Sequence, residues 1–153
     1  MKKTLLLLCA GACLAACAST GGTPDCNIYV IALMKEKHIY LPQANADGLD
    51  NYLKASPDWI KVPRKNGKLD HVTAYNAAKN GRATLVTYNT QSARSGHIAE
   101  VYGKNKMAWS ESFNALVPYT KGKVNGGSPG VFLLSRQFRP GHEKQMNYYI
   151  YKK

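Results

Sequence analysis

Residues 83–111, ATLVTYNTQSARSGHIAEVYGKNKMAWSE, contain the change of hydrophobic period that decides the fold. The chain before them has a helical period, whereas residues 83–89, 97–103 and 106–111 follow a period of two, which is typical of strands with one buried face. We therefore predict three successive strands, the last two joined by a tight turn at residues 103–105.

Three helices are predicted ahead of this stretch. Residues 26–37 carry a nearly continuous apolar run, with Asp25 as a candidate N-cap. Asn45 is placed to cap a short second helix, and Asp70 a third helix that stops near Gly81. The buried stripe of the third helix is predicted to be Val72, Tyr75 and Ala78.

The end of the chain is predicted to form a closing hairpin. Residues 130–135 and 145–153 have strand character, and Pro140 and Gly141 between them are typical turn residues. Helices followed by antiparallel strands indicate an α+β domain of two layers, in which the N-terminal helices pack on a sheet of about five strands.

The N-terminus has the pattern of an export signal. Lys2 and Lys3 precede an apolar run over residues 4–16 that is shorter than the ~20 residues of a spanning helix. Leu14 to Cys17 resembles the lipobox of bacterial lipoproteins, although an ordinary secretory signal is the alternative. We therefore expect residues 1–16 to be a lipoprotein signal peptide, residues 17–25 a tether lipidated on Cys17, and residues 26–153 a single domain.

The charge of the chain indicates its class of partner. The 153 residues carry a net charge of +12, which falls to +10 when Lys2 and Lys3 leave with the signal. The basic residues are scattered along the chain, so we expect no nucleic-acid binding and instead a surface compatible with anionic wall polymers. Lipid on Cys17 would hold the domain in the cell envelope. Ala18 replaces the aspartate that commonly retains lipoproteins in the inner membrane, so in a Gram-negative cell we expect the periplasmic face of the outer membrane.

Cys26 is a candidate nucleophile. Cys9 and Cys13 leave with the signal and Cys17 carries lipid, so the mature chain can form no internal disulfide. A cysteine in the first turn of a helix faces backbone N–H groups and the positive end of the helix dipole, both of which favour the reactive thiolate. The alternative is that Cys26 is a small buried hydrophobic residue.

A thiolate nucleophile needs a general base, and His97 is the candidate because it opens a strand. His38, His71 and His142 lie near helix ends or in a charged turn, where surface positions are expected. The histidines and cysteines lack the spacing of a metal site, so neither a metal nor another cofactor is expected.

Four motifs, in order, resemble the CHAP family of cysteine, histidine-dependent amidohydrolases and peptidases, which is related to the NlpC peptidases. CNIYV at residues 26–30 resembles the family's C-x-x-[WY]-V, and GHIAEV at residues 96–101 its GHVA-x-V strand. AAKNGRATLVTYN between them, and WSESFN after them, match the intervening helix and strand and the SE-x-N segment. The resemblance implies a papain-like fold.

The resemblance also implies roles for single residues. Cys26 would be the nucleophile and His97 the general base, with Glu111 or Asn114 orienting the imidazole. One extra residue separates Glu111 from Asn114, so Glu111 is the first choice. The family's glutamine before the cysteine is replaced by Asp25. Trp109 is a candidate for binding substrate in a groove.

These features together predict a membrane-anchored cysteine hydrolase. It would cleave peptidoglycan amide bonds through a thioester, as a stem-peptide endopeptidase or as an N-acetylmuramoyl-alanine amidase. Two alternatives remain: a non-catalytic envelope lipoprotein that binds cell wall on the same fold, and a papain-like acyltransferase.

Overall fold

The computed structural model describes residues 25–91, 96–124 and 127–153. The predicted signal, the lipobox and most of the predicted tether lie outside the described residues. Four α-helices are described: α1 Asp25–Glu36, α2 Ala46–Ala55, α3 His71–Lys79 and α4 Leu134–Gln137. A 3-10 helix, Pro140–Gln145, follows α4. The described strands are β1 Trp59–Lys61, β2 Thr84–Tyr88, β3 His97–Tyr102, β4 Ala108–Ser110, β5 Ala115–Val117, β6 Tyr119–Lys123, β7 Pro129–Leu133 and β8 Met146–Tyr151.

An antiparallel sheet of six strands is the centre of the fold. Its strand order is β1-β8-β2-β3-β6-β7, and β4 and β5 form a separate two-stranded sheet. The α+β class and the packing of N-terminal helices on an antiparallel sheet are therefore confirmed, with one strand more than predicted. Two of the predicted caps are confirmed, since the side chain of Asn45 accepts a hydrogen bond from Gly48 N–H and that of Asp70 from Thr73 N–H. Asp25, the third candidate cap, is the first described residue of α1 itself.

Helices cover both faces of the central sheet, so the domain has three layers instead of the predicted two. Successive side chains of a strand point to opposite faces. Ile98 of β3 packs with Val30 of α1 and Leu49 of α2 in one core cluster. Its neighbour Ala99 packs with Ala74 of α3 in a second cluster. Each face of the sheet therefore has its own core.

The buried stripe predicted for α3 is wrong by one position. His71, Ala74 and Ala77 are the buried residues of α3, and Val72 is 54% exposed. The small alanine side chains on the inner face allow the helix to lie close to the sheet.

Both predicted hairpins are wrong, because a strand pattern gives the direction of side chains but not the partner of a strand. β4 pairs with β5, and the edge of β3 that β4 was expected to occupy is taken by β6, with Tyr102 opposite Tyr119. At the C-terminus, β7 pairs with β6, and β8 lies between β1 and β2. The segment predicted as the turn between β7 and β8 contains the 3-10 helix.

Candidate functional site

Cys26 lies in the first turn of α1, as predicted, and its side chain is part of the core. It is 3% exposed and belongs to the cluster that also contains Val30, Leu49 and Ile98. The start of α1 is held in place by Asn27, whose Nδ2 donates to the Ala44 carbonyl oxygen at 2.7 Å. This packing corresponds to the buried alternative for Cys26.

His97 opens β3, as predicted, and its ring is held by residues at the end of α4. Its Nε2 lies 3.1 Å from Gln137 Oε1, and its ring contacts that of Phe138 with centroids 4.8 Å apart. Gln137 Nε2 donates to the carbonyl oxygen of Thr120 at 3.0 Å and to its Oγ1 at 2.8 Å. Since both amide hydrogens of Gln137 are used in this way, Oε1 must accept from His97 Nε2–H. The neutral imidazole therefore has its unprotonated nitrogen at Nδ1.

Burial keeps the His97 ring neutral. Desolvation lowers the pKa of His97 below its ordinary value, the hydrogen bond that the ring donates to Gln137 Oε1 opposes this, and the nearby His142 lowers the pKa further. His142 itself stacks on Tyr88, with ring centroids 3.8 Å apart. Tyr88 is the cross-strand partner of His97, so these three rings lie at one end of the sheet.

The central sheet lies between the side chains of Cys26 and His97. Cys26 packs in the cluster of Ile98, on the face covered by α1 and α2. His97 immediately precedes Ile98 in β3, so it faces the other side, where it contacts Phe138. The structure thus places the two residues on opposite faces, and their joint catalytic role stays a prediction.

The remaining predicted site residues lie on the β4–β5 hairpin. Glu111 and Asn114 are exposed in its turn, where Asn114 N–H donates to the Glu111 carbonyl oxygen at 3.1 Å. Trp109 is 58% exposed on β4. From the sequence, Glu111 or Asn114 was expected to form a hydrogen bond with the His97 ring. In the structure Gln137 is the partner of the ring.

A polar groove of about 750 Å³ opens beside the start of α2, and we call it the amide groove. Six of its lining residues carry side-chain amides: Asn45, Asn51, Asn89, Gln91, Gln145 and Asn147. Three are lysines: Lys54, Lys61 and Lys144. Asp47, Gly48 and Asp50 are the other lining residues in the described part of the chain. Trp109 is not among the lining residues, so the groove found here differs from the one predicted around it.

Asp50 fixes the wall of the amide groove. Its carboxylate is buried and accepts hydrogen bonds from Asn89 Nδ2 at 2.9 Å, Asn147 Nδ2 at 3.2 Å and Tyr149 OH at 2.9 Å, and another from Thr87 Oγ1. Burial raises the pKa of Tyr149, and the charge of Asp50 raises it further, so the hydroxyl keeps its proton and donates. Two of the amides that line the groove are thereby held in one orientation.

The amide groove lies next to both predicted catalytic elements. Asn27 of α1 is bonded to Ala44, the residue before the lining residue Asn45. A Cβ added at Gly96, just before His97, would meet the side chains of Ala46 and Asp47 at the start of α2. The first turn of α1, the groove and the start of β3 therefore meet at one end of the domain.

Sequence reasoning missed the amide groove because its residues come from separate segments of the chain. Asp50 comes from α2, Asn89 follows β2 and Asn147 comes from β8. His71 was also misjudged, since it is buried and its Nδ1 lies 2.7 Å from the buried Tyr148 hydroxyl. A histidine directly after the cap Asp70 was the available signal, because the first turn of an amphipathic helix often faces the core.

Residues 25–91, 96–124 and 127–153 contain no group of three His, Cys, Asp or Glu side chains that could hold a metal ion. None of the helices described in these ranges combines the length and hydrophobicity needed to cross a bilayer. No protein-family model matches the chain, and the search of curated proteins gave no match.

Proposed function

We propose that the protein is a cell-envelope lipoprotein whose domain binds peptidoglycan peptides in the amide groove. The observation that carries the proposal is the buried carboxylate of Asp50, which holds the groove amides of Asn89 and Asn147 in fixed orientations. Polar side chains that are fixed before a ligand arrives lose little conformational entropy when it binds.

The chemistry of the groove favours a ligand that is both polar and anionic. Side-chain amides donate to and accept from peptide groups, and Lys54, Lys61 and Lys144 can pair with carboxylates. Stem peptides of the cell wall offer amide groups and carboxylates together. Lipid on Cys17 would keep the domain near this polymer, in a Gram-negative cell at the periplasmic face of the outer membrane.

Binding to isolated sacculi tests the proposal. Lys61 and Lys144 are both exposed, so reversing their charge in Lys61→Glu/Lys144→Glu should leave the fold intact and weaken binding by about tenfold. Lys152→Glu/Lys153→Glu is the matched control, because it makes the same change of charge outside the groove. Equal binding by both double variants would contradict the proposal.

A second candidate, the cysteine hydrolase, is favoured by the position of Cys26 in the first turn of α1, beside the segment that leads into the groove. The reaction requires a papain-like arrangement, with the His97 ring on the same face of the sheet as Cys26 and not on the opposite face, where it contacts Phe138. Cys26 Sγ would then attack an amide carbonyl and form a thioester, and His97 would transfer the thiol proton to the leaving amine. Water would then cleave the thioester. An amine acceptor in place of water would make the protein an acyltransferase.

A further inference from the structure

The β4–β5 hairpin presents two large apolar side chains outward. Trp109 lies directly opposite Leu116 in the register, and the two are 58% and 52% exposed. The neighbouring residues Ser110 and Val117 are buried, and Phe113 in the turn packs into the core on the same side as α3. One side of this small sheet therefore packs on the domain, and the other side holds a Trp–Leu pair at its surface.

The charges around this pair are mainly positive. Lys104 and Lys106 are exposed in the segment that leads into β4, and the exposed Glu111 in the hairpin turn is the opposing charge. Exposed indole and leucine side chains next to lysines match the boundary of a bilayer, where tryptophan prefers the headgroup level and lysine is attracted to anionic lipid. The described surroundings of the pair lack the fixed amides of the amide groove, which argues against a wall peptide at this position.

We propose that Trp109 and Leu116 insert into the surface of an anionic lipid bilayer, with Lys104 and Lys106 contacting the headgroups. The inference rests on the lipid anchor of the proposed function. The chain between Cys17 and Asp25 can span at most about 28 Å, so the anchor keeps the domain close to the membrane surface. The hairpin would then orient the domain on the membrane.

Quenching of tryptophan fluorescence by brominated lipids tests this insertion. The lipidated protein is reconstituted into vesicles of phosphatidylglycerol and phosphatidylcholine whose acyl chains carry bromine. Trp59 is 5% exposed, so a change of emission on contact with lipid reports on Trp109. We expect about a twofold loss of emission, which should disappear in Trp109→Phe and diminish in Leu116→Ser and in high salt. Val72→Ser is the control, because it removes an exposed apolar side chain from α3 and should leave the quenching unchanged.

Failure of the insertion and failure of the anchor give different results. Vesicles that float with the protein but leave Trp109 unquenched would overturn the insertion while keeping the anchor. A protein that does not float with vesicles and carries no lipid by mass spectrometry would overturn both. Loss of sacculus binding in Trp109→Phe, without quenching in the wild type, would overturn the proposal in favour of a wall contact at the hairpin.

Discussion

Replacing Asp50 with alanine should lower the free energy of unfolding by about 3 to 5 kcal/mol. The carboxylate is 3% exposed and accepts hydrogen bonds from four side chains on β2, on the segment after β2 and on β8. Its removal leaves these donors without their acceptor in a place from which water is largely excluded, and it opens a void between α2 and the sheet.

Denaturation by urea, followed by circular dichroism, measures this effect. Asp58→Ala is the matched control, since it removes the same charge from a position where the described structure shows no hydrogen bond to the side chain. A loss below about 1 kcal/mol for Asp50→Ala would mean that the carboxylate does not organise the groove.

The thiol of Cys26 should react with iodoacetamide at least about a hundredfold more slowly in the folded protein than in urea, because a buried group reacts only when the structure opens. The side chain is 3% exposed and packs in the core with Val30 and Ile98. Labelling of the folded and the denatured protein at pH 7, followed by mass spectrometry, gives the two rates.

The hydrolase candidate predicts the opposite result. An activated Cys26 would react in the folded state faster than an ordinary peptide thiol, and digestion of muropeptides would vanish in Cys26→Ala and in His97→Ala. Transfer to an added amine, without hydrolysis, would identify the acyltransferase. A fast thiol together with loss of digestion in Cys26→Ala would replace the binding proposal with the hydrolase.

Local signals in the sequence predicted the local structure well. Asn45 and Asp70 cap their helices as expected, because a cap depends on residues three positions apart. The strands containing Val86 and Ala99 were also predicted near their observed bounds. These elements depend on side chains that are close in the chain.

Relations between distant segments were predicted poorly. The motif around His97 predicts a histidine at the start of a strand. It does not predict the face of the sheet on which the ring lies, because that face depends on how β3 packs between α1 and α4. Gln137 replaces Glu111 as the partner of the His97 ring, since α4 returns to the sheet through a connection that no local pattern specifies. The groove around Asp50 was missed for the same reason.

Chemical-shift mapping of the ¹⁵N-labelled domain with a soluble muropeptide tests the central claim most directly. The binding proposal predicts that saturable shifts cluster on the side-chain amides of Asn89 and Asn147 and on the backbone of α2, and that Lys61→Glu/Lys144→Glu weakens them. Shifts confined to the surroundings of Cys26 and His97, accompanied by cleavage of the muropeptide, would contradict it.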